Sequence, residues 1–356
     1  MKWAPKDESG AAEPVPELRQ DPFTRDWVLI APRRALRPHR TPEPAAEPQD
    51  SATDPDCPFC PGNEDRTPGE VWRSAGEGWS VRVVPNRFPL LAARPGLTRR
   101  RLGGPFITAD GTGSHEVVIE SPHHDLDLPD LDDAAVTAVF DAYRDRSRAL
   151  RDTWPGGLVL PFRNHGTAAG TSLRHPHSQI AALPVVPPRH RQRLDIARAY
   201  HDDRGSSLHT DVTTAELADG TRVVAELDQV VALAPFASTA PYAVRVLPRE
   251  NEASFADVSD ATLAATARTV RRLLAALRAL LGDVPYNYLV LSAPCGAERA
   301  ERFSWHLDVL PRLTTTAGFE LGTGIAVNPV PPEYAAARLR GALGASRPQG
   351  ADSRPA

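Results

Sequence analysis

The residues with the most chemical content lie together in His175-Pro176-His177-Ser178-Gln179. In an extended strand alternate side chains share a face, so this spacing points His175, His177 and Gln179 the same way. Three hydrogen-bonding side chains beside the apolar run IAALPVV are unusual for a core strand. Imidazole is a good nucleophile toward phosphorus and is neutral over most of the physiological range. Gln179, with the backbone or hydroxyl of Ser178, could hold phosphate oxygens where charge develops. The bland alternative is a pair of surface histidines on an edge strand. Upstream, FRNHGTAAGTSLR (162–174) puts Asn164, Gly166, Gly170 and Ser172 in a small-residue loop, the kind that lets backbone N–H groups approach a phosphate. Alone the loop is a weak signal, and joined to HPHSQ it becomes a specific one.

A second cluster starts at Cys57-Pro58-Phe59-Cys60. Two thiolates at this spacing supply half of a tetrahedral zinc site. Cys295 stands alone, so the remaining ligands must be histidines, and His123, His124 and His175 are the candidates. A redox role would need a thioredoxin-like βαβ context, which the flanking sequence lacks.

The elements that must position these residues recur. The first passage runs from the alternating HEVVIES (115–121) to a helix over about 131–152, with Val136, Val139, Phe140, Tyr143 and Leu150 at helical spacing. The strand LVLPF (158–162), the glycine loop and HPHSQIAALPVV (175–186) follow. The second runs from YAVRVLP (242–248) to a helix over about 260–281, striped by Leu263, Val270, Leu273, Leu274, Leu277 and Leu281 and stopped by Gly282. YNYLVLS (286–292), a loop and WHLDVLP (305–311) complete it. The offset of about 127–130 residues reads as an internal duplication of one α+β unit, joined near 184–192. Where the first copy has HPHSQ the second has WHLDV, so the second is structural or substrate-binding.

Composition limits the function classes. The 356 residues carry 41 Lys+Arg against 45 Asp+Glu, a net charge of −4 that argues against a general nucleic-acid binder. Three cysteines cannot build a disulfide framework, which points to a reducing compartment. MKWAPKDESGAAEPVPE lacks the apolar stretch of a secretory signal, and the apolar stretch Leu263–Leu281 is interrupted by four arginines, so no membrane span and a cytoplasmic location are expected. Residues 1–15 and 343–356 read as disordered, and 38–56 as a mobile Pro/Glu-rich loop.

Taken in order over about residues 17–341, a set of segments resembles galactose-1-phosphate uridylyltransferase, a branch of the histidine-triad superfamily. They are DPFTRDWVLIAPRRALRPHR (21–40), CPFC (57–60), PNRFP (85–89), SHEVVIESPHHDLDL (114–128), FRNHGTAAGTSLRHPHSQ (162–179), APFASTAPYAVRVLP (234–248) and GFELGTGIAVNPVPPE (318–333). The resemblance implies that His177 is the nucleophile that takes the nucleotidyl group and that Gln179, Ser172 and Asn164 contact phosphate. It implies Arg34 and Arg37 at the nucleotide-sugar site and Asn86 in the nucleotide pocket. It also implies a structural zinc, one per chain, on Cys57, Cys60, His124 and His175. His115 and His165 match no such position. A second metal, found on second-half histidines in some members, is not expected because Asp308 stands where they have histidine. FELGTG (319–324) is similar to a subgroup acting on adenylyl sugars. Members are dimers, so Phe319, Glu320 and Thr323 are expected to act across a homodimer interface.

The expected fold is α+β, two histidine-triad-like halves (16–186 and 187–342), each an antiparallel sheet with packed helices. The expected reaction is ping-pong exchange of UMP between UDP-glucose and galactose 1-phosphate through a uridylyl-histidine. The rivals are an ADP-sugar adenylyltransferase or phosphorylase, a histidine-triad nucleotide hydrolase, and a zinc-stabilised nucleotide binder without turnover.

Overall fold

A computed structural model of the protein describes residues 15–36, 51–76, 78–94, 96–297 and 303–345. Arg37, most of the 38–56 stretch and nearly all of both expected disordered ends lie outside these residues. In chain order the strands are β1 (Glu17–Gln20), β2 (Trp27–Ile30), β3 (Trp72–Arg73), β4 (Arg82–Pro85), β5 (Arg99–Gly103), β6 (Phe106–Ala109), β7 (Ser114–Ile119), β8 (Leu158–His165), β9 (His177–Leu183), β10 (Val223–Glu226), β11 (Val230–Leu233), β12 (Val244–Pro248), β13 (Tyr286–Leu291), β14 (His306–Pro311) and β15 (Ala326–Asn328). The helices are α1 (Asp133–Thr153), α2 (Pro188–Arg204), α3 (Leu208–Asp219), α4 (Asp260–Leu281), α5 (Gly318–Thr323) and α6 (Pro332–Ala345).

The two long helices form where the stripes require them. Asp132 caps α1 by accepting from the Ala135 N–H at 2.8 Å, and Ser259 caps α4 by accepting from Thr262 N–H at 3.1 Å. Val136, Val139, Phe140 and Tyr143 on α1, and Leu263, Val270, Leu273 and Leu277 on α4, are buried in one continuous core. Each such apolar side chain contributes about 1.5–3 kcal/mol relative to exposure, which outweighs the weak propensity of the β-branched members. α1 packs on β7, β8 and β9, α4 packs on β11 and β12, and the two helices pack on each other.

The expectation of one antiparallel sheet per half needs a refinement. The halves share one sheet in the order β10-β11-β12-β14-β13-β8-β9-β7-β4-β3. The order is palindromic about the β13–β8 pair, so each strand of one half has its counterpart at the same distance from the seam. Tyr286↔His165 through Leu289↔Phe162 close that seam with antiparallel pairing, which removes an exposed edge from each half. A small sheet β1-β2-β15 ties the two ends of the described chain together, with β15 parallel to β2. α6 runs to Ala345, so residues 343–345, expected to be disordered, are helical.

Candidate active site

β9 is a central strand, paired with β7 and β8. It starts at His177 because Pro176 has no N–H for a ladder, so His175 precedes the strand rather than sharing its alternation. Register puts Ile119 opposite His177, and Val117 and Phe162 opposite Gln179, on the face away from α1. On the helix face the Tyr143 hydroxyl donates to Ser178 Oγ at 2.6 Å and touches the Tyr288 hydroxyl. Beside it the fully buried Arg163 spans Glu120 at 3.0 Å and also contacts Asp127 and the Tyr286 hydroxyl. Burial raises the Glu120 carboxyl, with Arg163 opposing that shift. The strand is therefore held from below by a paired, hydrogen-bonded polar layer, the only form in which such charges tolerate burial.

His177 is 8% exposed. Its Nδ1 lies 2.8 Å from the His175 carbonyl, which can only accept, so Nδ1 carries the proton and Nε2 keeps its lone pair. Burial pushes the ring below its ordinary value, leaving it neutral at pH 7, the nucleophilic form. The Phe59 ring meets it edge-on at 5.4 Å.

Gln179 Oε1 lies 2.7 Å from His115 Nε2, and His115 Nδ1 accepts the Leu90 N–H at 3.1 Å. Asn86 joins this group, donating its backbone N–H to the His115 carbonyl at 2.8 Å with its Nδ2 3.5 Å from His115 Nε2. Asn164, on β8, has its Oδ1 2.8 Å from Asn287 Nδ2, which also donates to the Ala169 carbonyl at 2.9 Å. Asn287 lies in the second half, so a residue beyond the seam braces the glycine loop. Gly170 ends the 167–169 turn at φ 98°, a left-handed conformation that a side chain would strain, and a Cβ there would sit 3.7 Å from Asn164 Nδ2. Ser172 is exposed further along the loop.

One ligand atom from each of Cys57, Cys60, His124 and His175 lies within 4.8 Å of all the others, and all four residues are buried. Cys60 Sγ is 3.5 Å from His124 Nδ1 and 3.6 Å from His175 Nδ1. Ligands at ~2.0–2.3 Å from one tetrahedral zinc stand roughly 3.3–3.8 Å apart, so the donor set and these two separations fit that ion. His175 Nε2 donates to the Ser121 carbonyl at 2.8 Å, which leaves Nδ1 facing the group with its lone pair. Burial lowers the His175 ring to about 4 and raises the Cys57 thiol to about 11. Neutral imidazole is the ligating form, and a thiol so placed ionises only against a cation. A bound ion would tie the Cys57–Cys60 turn and His124 to the residue just before Pro176-His177.

Comparison with known proteins places the whole chain in one family. Residues 7–187 match the galactose-1-phosphate uridyl transferase N-terminal domain, and residues 193–344 match the C-terminal domain of the same family. ADP-glucose phosphorylase of Arabidopsis thaliana is 33% identical over 91% of this chain and 92% of its own. Galactose-1-phosphate uridylyltransferase of Thermotoga maritima is 27% identical over 91% and 98%. A crystal structure of an Arabidopsis thaliana ADP-glucose phosphorylase with bound ADP-glucose superposes with a TM-score of 0.78 at 31% identity, covering 92% of this chain and 98% of that one.

The chain belongs to the galactose-1-phosphate uridyl transferase family. It is thus an enzyme of the nucleotidyltransferase class.

In this family member the remaining expected residues sit on two other elements. Arg34 sits on the turn Pro32–Leu36 beyond the small sheet, and among the described residues no hydrogen bond or ion pair joins it to His177. Phe319, Glu320 and Thr323 are on α5, where Glu320 caps the Ala317 N–H at 3.0 Å and the Thr323 hydroxyl donates to the Phe319 carbonyl at 2.7 Å. Phe319 is 49% exposed. His165, which matched no family position, has ring nitrogens 3.2 Å from Asp127 and 2.7 Å from Asp283, linking the halves. His115 and Asn287 escaped sequence reasoning because their partners are cross-strand. The alternation of HEVVIES was the available signal for His115, and it needed the β7–β9 pairing to become informative.

The second copy holds His306 at the head of β14, the counterpart of β9. Its Nδ1 lies 3.4 Å from the Ser304 carbonyl, and its Nε2 is 2.5 Å from Arg193 Nη1 of α2. Asp308 takes Gln179's place and is bidentate to Arg245 at 2.7 and 2.9 Å. Burial alone would raise Asp308, but Arg245 holds it well below the usual carboxylate range. Burial, then Arg245, pushes His306 well below its ordinary value.

Proposed function

We propose that the protein transfers a nucleotidyl group from a nucleoside diphosphate hexose to a second acceptor through His177. The orientation of His177 carries the proposal: with Nδ1–H given to the His175 carbonyl, Nε2 is the free nucleophile. In the first step Nε2 bonds to the α-phosphorus, and the bond from that phosphorus to the bridging oxygen breaks. Hexose 1-phosphate leaves, taking the electron pair. In the second step a phosphate oxygen of the acceptor attacks the same phosphorus, the P–N bond breaks and His177 is restored. Gln179, Asn164 and the amides of the glycine loop are the groups assigned to the phosphate oxygens.

The donor and acceptor are read as UDP-glucose and galactose 1-phosphate, as in the uridylyltransferase relative. A second reading is ADP-glucose phosphorolysis, favoured by the 33% identity and the 0.78 superposition with the Arabidopsis enzyme. His177 cannot discriminate these, because the α-phosphate is the same in both donors. The choice lies in polar groups facing the base, and a site built for one base leaves them unpaired with the other. The zinc has a structural role, and the active form is a homodimer in which α5 of one copy closes the site of the other. Arg34 and Arg37 serve the diphosphate. Incubation with labelled UDP-glucose or ADP-glucose, with galactose 1-phosphate, inorganic phosphate or neither, tests the transfer through His177 and the choice of donor. Label on the protein with UDP-glucose and its release by galactose 1-phosphate supports the first reading. A kcat/KM for ADP-glucose equal to or above that for UDP-glucose overturns it in favour of the second, and net hydrolysis without acceptor overturns both.

A further inference from the structure

We propose that His115 is a positioning residue that decides which end of the Gln179 amide faces the transferred phosphate. An amide side chain can present either its carbonyl oxygen or its NH2 group, and only the NH2 group can stabilise phosphate charge. What selects between them here is a chain of hydrogen bonds whose polarity starts at the backbone. The Leu90 N–H is a donor without choice, and it points at His115 Nδ1 from 3.1 Å. Nδ1 must therefore hold the lone pair, and the neutral ring carries its proton on Nε2. That proton lies 2.7 Å (heavy atom to heavy atom) from the Gln179 side chain, nearer than the 3.5 Å to Asn86 Nδ2, and Gln179 must answer with its oxygen. The NH2 end is then left for the phosphate.

The surroundings keep the ring in that state. His115 is 7% exposed, and burial holds its ring below the ordinary value, in the neutral form. Phe162, across from Gln179 on β8, stacks against it with centroids 6.4 Å apart and planes 19° apart. The stretch from Asn86 to Leu90 closes round the same residue, giving one N–H to its carbonyl and one to its ring. The segment assigned to the nucleotide pocket and the amide assigned to the phosphate thus meet at His115.

The inference rests on His177 as the nucleotidyl acceptor. The test measures single-turnover labelling of the protein by UDP-glucose and ADP-glucose, with steady-state kcat and KM. His115→Ala is expected to slow labelling at least about tenfold, mainly in kcat, with folding and metal content kept. Gln179→Glu keeps an acceptor for His115 but has no N–H to give, so it is expected to lose as much as Gln179→Ala. In the Gln179→Ala background, His115→Ala should cost almost nothing more, because the group it orients is gone. Equal losses in both backgrounds, a wild-type rate in His115→Ala, or an active Gln179→Glu enzyme would each overturn the role of His115 while leaving His177 in place. No label on the wild-type protein with either donor overturns the His177 reading and this one with it.

Discussion

His177 opens β9 and His306 opens its counterpart β14, each with Nδ1 near the carbonyl two residues back, yet the two Nε2 atoms meet opposite fates. At His177 the neighbouring positions hold Gln179 and Val117, both neutral side chains. At His306 the corresponding positions hold Asp308 and Arg245, and Arg193 from α2 comes down on Nε2 itself. The second copy thus carries a pair of opposite charges where the first has neutral side chains. A duplicated sheet carries its geometry into both halves, and in the second copy an internal cation, Arg193, occupies the Nε2 that the proposed mechanism needs free at His177. The buried Arg245–Asp308 pair converts the second copy into a brace, since each charge is costly without the other.

The sharpest way to break the comparison is to exchange the two histidines' fates. His177→Ala should lower turnover by ~10³-fold or more and abolish labelling, with thermal stability near that of the wild type. Substantial exchange activity in that variant would place the nucleophile elsewhere. Next in size, Cys57→Ser should lower metal content from one equivalent per chain to a small fraction, and lower Tm with it, because the ion's binding energy is folding energy. Elemental analysis beside a melting curve checks this. It also checks the expectation of one metal, since two equivalents would mean that the His306 copy binds one too.

Asp308→Ala should cost about 3–5 kcal/mol of stability by leaving Arg245 buried against only the more distant Asp21, 4.0 Å away, while kcat per folded molecule changes little. The pair also has a pH signature. Asp308 titrates below its unfolded value in the fold, so acid protonates the unfolded chain first. Its contribution is complete above about pH 4 and drains away as pH falls toward the folded value. The Tm gap between wild type and Asp308→Asn should therefore be widest near neutrality and narrow in acid. The smallest effect belongs to His306→Asn, which should leave turnover within about twofold, and a large loss there would mean that the second copy touches substrate.

Much of this was legible before any fold was known. The Gly282 stop, the stripes on α1 and α4, the glycine loop and HPHSQ are local patterns, set by residues within a few positions of each other. The resemblance also named the four residues whose donor atoms the structure gathers within 4.8 Å. The seam was not legible. Tyr286 and Asn287 read as ordinary strand residues, and only the β13–β8 register shows that Asn287 braces Asn164 and that the two halves share one sheet. Nor could alternation reveal that α2 would seat Arg193 on His306, since α2 lies far from β14 in the chain.

By itself the sequence determined which groups exist to do chemistry and which segments carry them: the histidine proposed as nucleophile, a glycine loop and two cysteines with two histidines. Those follow from side-chain type and short-range spacing, which backbone geometry converts directly into faces of strands and helices. The tertiary structure alone decided what each group touches. His115 is bound to Gln179 because β7 pairs with β9 in one register, and a slip of a single residue would turn it to the other face. His306 is silenced because a helix from another part of the chain lands on it. Partners of that kind are fixed by long-range pairing and packing, whose energies are summed over the whole core and belong to no local pattern.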